Sequence, residues 1–162
     1  MLPVRTASRA LLVVTVVATL AACGGNPRLS RTQYERSVNR IGRQLSTTLT
    51  DTFNSPKLQS PGSLKDAAVV LRAGQESIRN AADRLDRLNP PSQIESIHKE
   101  LTKGFRDFAS AFGRFAQATD KGDLAAIQRF SEQVSAQTLP AMVEIQRAID
   151  ALKAKGFDVS NG

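Results

Sequence analysis

Catalysis and metal binding both need convergent side chains, and this sequence of 162 residues supplies one histidine, His98, and one cysteine, Cys23. Glu95-Ser96-Ile97-His98 has the Glu-x-x-His spacing that sets two ligands on one helix face. A dinuclear site uses that motif twice, with further carboxylates from two other helices, so a single histidine argues against one in a monomer. No Cys-x-x-Cys-His run is present for covalent haem, and no serine, histidine and aspartate suggest a triad. Met142 and His98 could face one cavity, but both read as core or interface residues. The expectation is a protein with no catalytic residue and no metal site. One other feature could carry function: Phe105, Phe108, Phe112 and Phe115 recur at helical spacing and could line a slot for an acyl chain or another apolar ligand. The same spacing is what any inward-facing helix requires, so core packing is the default reading.

The elements that must position these residues are helical throughout. Apolar residues recur at intervals of three and four, and no sustained alternation marks a strand. Thr32-x-x-Glu35 offers a capping box for a first helix over 32–53, with Tyr34, Val38, Ile41, Leu45, Leu49 and Phe53 on one stripe. Residues 54–62, with Pro56, Pro61 and Gly62, form a loop. Ser63 caps a second helix over 64–89, in which Leu64, Leu71, Ile78 and Leu85 lie seven apart and Ala67, Gly74, Ala81 and Leu88 follow three later. Small residues there predict a close helix approach. Asn89-Pro90-Pro91 stops that helix, since the residue before a proline is pushed out of the α region, and Ser92-x-x-Glu95 caps a third over 92–120. Gly122 and Asp123 supply a C-terminal stop and the next N-cap. The apolar phase then runs from Leu124 to Leu152 through Pro140, which predicts one kinked helix over 123–155. The fold class expected is all-α, an up-down-up-down four-helix bundle over 32–155, with 156–162 as a flexible tail.

The first 22 residues read differently. Arg5 and Arg9 form a basic start with no acidic residue, followed by the apolar run Ala10 to Leu20. As a helix that run spans only ~16 Å, against ~30 Å of bilayer hydrocarbon, so it suits a cleaved signal and not a span. Leu20-Ala21-Ala22-Cys23 resembles the lipobox of bacterial lipoproteins, an aliphatic residue and two small residues directly before a cysteine. The resemblance implies cleavage between Ala22 and Cys23 and a diacylglycerol thioether on the Cys23 thiol, and leaves acylation of the new amino group open. Residues 23–31 then form a tether. Without a partner thiol no disulfide can form within the chain, so the fold must rest on its core. About 140 remaining residues suffice for one domain.

The chain is basic, with 22 lysines and arginines against 15 acidic residues. Arg28, Arg31, Arg36, Arg40 and Arg43 face Glu35 alone in the segment nearest the lipid, a local excess of about +4 that suits contact with anionic headgroups. Nucleic acid is a poor partner for a translocated chain. Leu85-x-x-Leu88-x-Pro90-Pro91, followed by His98 and Leu101, resembles a pattern in helical lipoproteins of actinobacteria and their relatives. That resemblance implies no activity, but favours a single cytoplasmic membrane. Physically the prolines build a corner between helices, and His98 is placed to hydrogen-bond across it. The functional expectation is a non-catalytic, lipid-anchored protein of the external membrane face that interacts with another envelope component, with no cofactor besides its covalent lipid. The alternative is a carrier or sensor holding an apolar ligand beside the phenylalanines.

Overall fold

A computed structural model describes residues 27–60 and 62–160; the signal segment, the Ala22–Cys23 junction, Pro61 and the last two residues lie outside that range. Among the described residues the chain is all-helical. The elements are α1 (Arg31–Phe53), the single turn α2 (Pro56–Gln59), α3 (Leu64–Asp86), a 3₁₀ turn (Ser92–Ile94), α4 (Glu95–Lys121), α5 (Leu124–Ser135) and α6 (Pro140–Ala154).

Several boundaries follow from the capping groups expected. The Ser63 hydroxyl accepts from the Asp66 amide, and the Asp123 carboxylate accepts from the Ala126 amide. Two capping boxes fall elsewhere. On α1 the box is Ser30 with Gln33, each side chain accepting from the other residue's backbone amide, so Thr32 and Glu35 lie inside the helix. At the corner Ser92 opens the 3₁₀ turn and Ile94 is the N-cap of α4, with no side-chain cap bond.

The kinked helix expected over 123–155 is two helices. Leu139 is extended, with φ −59° and ψ 119°, because Pro140 excludes the α region for its predecessor, and Pro140 itself opens α6 as a first-turn residue. Gln137 turns the chain with φ 56°. The intervening residues 136–139 make up about one helical turn of 3.6 residues, so the apolar phase survives an interruption that periodicity alone cannot register.

α4 is the central rod. It packs on α3, α5 and α6, while α1 packs on α3. Two glycines permit the close approaches. A β-carbon on Gly74 would lie 3.0 Å from the Phe112 ring, and one on Gly104 would lie 2.8 Å from Ile145 Cγ1. The core joins Tyr34, Ile41 and Leu45 of α1, Leu71, Ile78 and Leu85 of α3, Leu101 and Phe112 of α4, and Ile149 and Leu152 of α6. α5 buries no residue completely; Ile127, Phe130 and Val134 are half-covered, and Leu124 is 70% exposed.

Residues 156–160 are not a frayed tail. Phe157 and Val159 are 2% and 1% exposed. The Phe157 ring meets Tyr34 edge-on at 5.7 Å, under the Arg31 guanidinium at 5.1 Å. The Asp158 amide donates to Glu35, the Asn39 side-chain amide donates to the Asp158 carbonyl, and the Ser160 amide donates to Asn39 Oδ1. The segment thus lies along α1 and closes the core over Tyr34. The proposed tether is likewise ordered where described: the Leu29 amide donates to the Asn89 carbonyl, and Arg28 bonds the Pro90 carbonyl and Glu95.

Candidate functional site

The corner between α3 and α4 brings together most of the polar residues singled out from sequence. Pro90 and Pro91 carry the chain across it, and His98 enters from the first turns of α4 with its ring buried. Its Nδ1 lies 3.1 Å from the Tyr34 hydroxyl of α1, 64 residues away, and the Leu85 carbonyl at the end of α3 accepts from the ring. The tautomer sets the sense of the Tyr34 bond: Nδ1 accepts from the hydroxyl when the ring hydrogen is on Nε2, and donates to it when the hydrogen is on Nδ1. His98 thus ties α4 to α1 through Tyr34, beside the Leu85 carbonyl.

Burial holds the Tyr34 phenol protonated far above its ordinary range and pushes the His98 imidazolium down from 6.5, against the opposing pull of the Leu85 carbonyl and the Asp86 carboxylate. A histidine with a depressed folded pKa binds fewer protons folded than unfolded. Its contribution to stability is present above about 6.5 and is lost as the pH falls below that value, by at most ~1.4 kcal/mol per pH unit. Because His98 is the only histidine, its proton NMR titration is unambiguous, and its midpoint is expected below 6.5. His98→Gln should flatten the urea-midpoint profile between pH 7.5 and 5 relative to the parent chain. Parallel profiles would remove His98 as the pH-sensitive group.

Outside the ring, a concavity of about 240 Å³ is lined by Arg28, Asp86, Pro90, Lys99 and Arg106, with His98 and Thr102 at its base. Its charges are mutually satisfied. Glu95 takes Arg28 at 2.9 Å and Lys99 at 3.0 Å, which lowers its pKa, chiefly through the Lys99 and Arg28 hydrogen bonds; Asp86 takes Arg106 at 3.0 Å. The Glu95 and His98 side chains are thus both engaged within the protein, and no group of three histidine, cysteine or acidic residues among those described is placed to hold a metal ion. The corner is built as a joint.

The phenylalanine stripe gathers into one cluster instead of four separate contacts. Phe112 is buried and meets Phe53, Phe108, Phe115 and Phe130 edge-on at 5.9–6.1 Å. Phe115 and Phe130 stack at 4.3 Å with planes 11° apart, which fastens α5 to α4. Phe105 packs against the core as a half-buried residue. Beside the stack, a groove of about 240 Å³ takes Phe115 and Phe130 with Ala111, Ala126, Arg114 and Arg129. It opens between α4 and α5 and leaves Phe112 and Phe108 facing other rings.

A third concavity had no counterpart in the sequence reading. It runs between α1 and α3 and pairs Arg43 of α1 with Arg84 of α3. The signal was half present, since Arg36, Arg40 and Arg43 are spaced four and three apart and project from one face. Arg84 joins them only through the packing of α3 on α1.

Among the described residues no helix is long and apolar enough to cross a membrane. Comparison of the chain with protein-family models, with curated proteins and with solved structures finds no match.

Proposed function

We propose that this chain is a non-catalytic, lipid-anchored helical protein of the external face of the cytoplasmic membrane, where its folded body engages another envelope component. In this reading α1, α3, α4 and α6 are the rods of an up-down-up-down bundle and α5 is an additional helix laid on α4. Attachment is through a diacylglycerol thioether on Cys23 after cleavage at Ala22.

The observation that carries the reading is the fastening of Arg28 and Leu29 onto the corner residues Asn89, Pro90 and Glu95. Only residues 24–27 separate Cys23 from that fastening. Five peptide steps at ~3.4 Å reach no further than about 17 Å. A lipid on Cys23 would therefore hold the corner end of the body beside the headgroups, and Arg36, Arg40 and Arg43 would lie on the flank of a body already at the surface. Each arginine near anionic lipid contributes on the order of 1 kcal/mol, which supplements the anchor but is screened by salt.

The test is the intact mass of protein extracted from its own membranes. A chain beginning at Cys23 and heavier by a diacylglyceryl group, with Cys23→Ser shifted out of the salt-washed membrane fraction, is the expected result. An unmodified Cys23 thiol in the mature chain would overturn the anchor. A chain starting at Gly24 that stays membrane-bound in high salt would assign attachment to the folded body instead.

A further inference from the structure

Most charged side chains that line the corner are neutralised by a neighbour, but those of the α1–α3 groove are not. Arg43, Gln44, Thr47, Thr48 and Arg84 line a shallow concavity of about 480 Å³. A second concavity of about 190 Å³ shares Gln44, Thr48 and Arg84 and adds Ser77 and Asn80, so the two form one trough along the helix pair. No aspartate or glutamate belongs to either lining. Arg28, Arg72 and Arg106 each hold a carboxylate, yet among the described residues Arg43 and Arg84 form no ion pair.

The remaining groups are also suited to an anion. Amides from Gln44 and Asn80 and the Thr47 hydroxyl are exposed donors along the trough, while the Thr48 and Ser77 hydroxyls are occupied by the Gln44 and Ala73 carbonyls. Two guanidiniums from different helices, flanked by neutral donors and no competing acid, present the forked N–H geometry that matches the oxygens of a phosphate. Both arginines project from helices of the folded body, so the backbone needs no ordering when such a group arrives and only the side chains do. A carboxylate offers fewer oxygens to this set, and an apolar ligand would leave both charges uncompensated.

We infer that the α1–α3 groove is a phosphate-binding site in which Arg43 and Arg84 clamp one phosphate group between the two helices. This narrows the arginine-face contact proposed above to one trough and one ligand chemistry. It stands independently of the lipid on Cys23. The phosphate could belong to a lipid headgroup or to a soluble phosphate ester, and both present the same oxygens.

The chain beginning at Gly24 keeps every described residue and the whole core, so it serves for the measurement. Isotope-labelled protein is titrated with glycerol 3-phosphate at fixed ionic strength. The amide shifts are expected to concentrate at Arg43, Gln44, Thr47, Thr48, Asn80 and Arg84, and Arg43→Gln or Arg84→Gln should each weaken binding about tenfold. Arg79→Gln is the control for charge alone, being exposed on α3 and outside the groove lining. Shifts scattered over the surface arginines, equal weakening by Arg79→Gln, or no binding to either phosphate source would overturn the site. Flotation with phosphatidylcholine vesicles, with and without phosphatidylglycerol, separates the sources. Retention by phosphatidylglycerol that Arg43→Gln and Arg84→Gln abolish assigns a headgroup; groove-specific binding of glycerol 3-phosphate without that retention assigns a soluble ester. Neither outcome bears on whether Cys23 is lipidated, so failure here and failure of the anchor are separately visible.

Discussion

Phe112→Ala is expected to lower the stability of the folded domain by about 3–5 kcal/mol, a large share of the ~5–15 kcal/mol that holds a domain of this size. The ring is 2% exposed and contacts residues of four helices: Phe53 of α1, Gly74 of α3, Phe108 and Phe115 of α4, and Phe130 of α5. Its loss removes the transfer free energy of a buried aromatic and leaves a hole that these elements can fill only by moving. The four edge-on ring contacts add to that loss, each such pair contributing ~0.5–1.5 kcal/mol beyond burial. Phe112→Leu should keep much of the volume and cost markedly less. Phe53→Ala, at a ring that is 45% exposed, should cost less again. Urea unfolding followed by far-ultraviolet circular dichroism reads all three. If Phe112→Ala costs no more than Phe53→Ala, Phe112 is not the keystone of this end of the molecule.

Ending the chain at Lys155 should be comparably severe, with a loss of about 3–6 kcal/mol from the burial of Phe157 and Val159 alone. The truncation also strips the lid from Tyr34, whose hydroxyl is committed to His98. With one tyrosine and no tryptophan, the tyrosine band of the near-ultraviolet spectrum, which lies at longer wavelength than the phenylalanine bands, reports directly on that ring. The expected result is a weakened tyrosine band together with the stability loss. A chain lacking 156–162 that unfolds within 0.5 kcal/mol of the parent, a bound set by what surface changes ordinarily cost, would return those residues to the status of a tail.

The contrast between these two predictions marks what can be read from sequence. Phe112 was visible because helical spacing repeats, and a stripe of four phenylalanines leaves little choice about which side faces inward. The same logic found Tyr34, Ile41, Leu45, Leu71, Ile78 and Leu85. Phe157 and Val159 lie in seven residues with no period to detect, and the segment is held by Glu35 and Asn39 accepting from the Asp158 and Ser160 amides more than a hundred positions away. His98 illustrates the intermediate case. Its place beside the Leu85 carbonyl is local to the corner, whereas its bond to Tyr34 needs α1 to be in place. The α5–α6 break stayed hidden for a geometric reason, since a gap of about one turn returns the apolar residues to the same side. Arg84 belongs beside Arg43 only once α1 and α3 have packed together.

The way α5 is fastened has a consequence for how the molecule breathes. Stability in a folded domain is distributed unevenly, and segments that bury little surface open at a small fraction of the global cost. α5 has no fully buried residue, packs on α4, and is secured chiefly by one stacked ring pair, while the other long helices each contribute to the buried core. Brief excursions of this helix away from α4 would leave the joints among α1, α3, α4 and α6 standing, and would uncover one flank of Phe112 for as long as they last. The molecule is thus built in two tiers, a frame of helices that share a buried core and a helix laid on it whose opening would expose an aromatic surface only while it lasts.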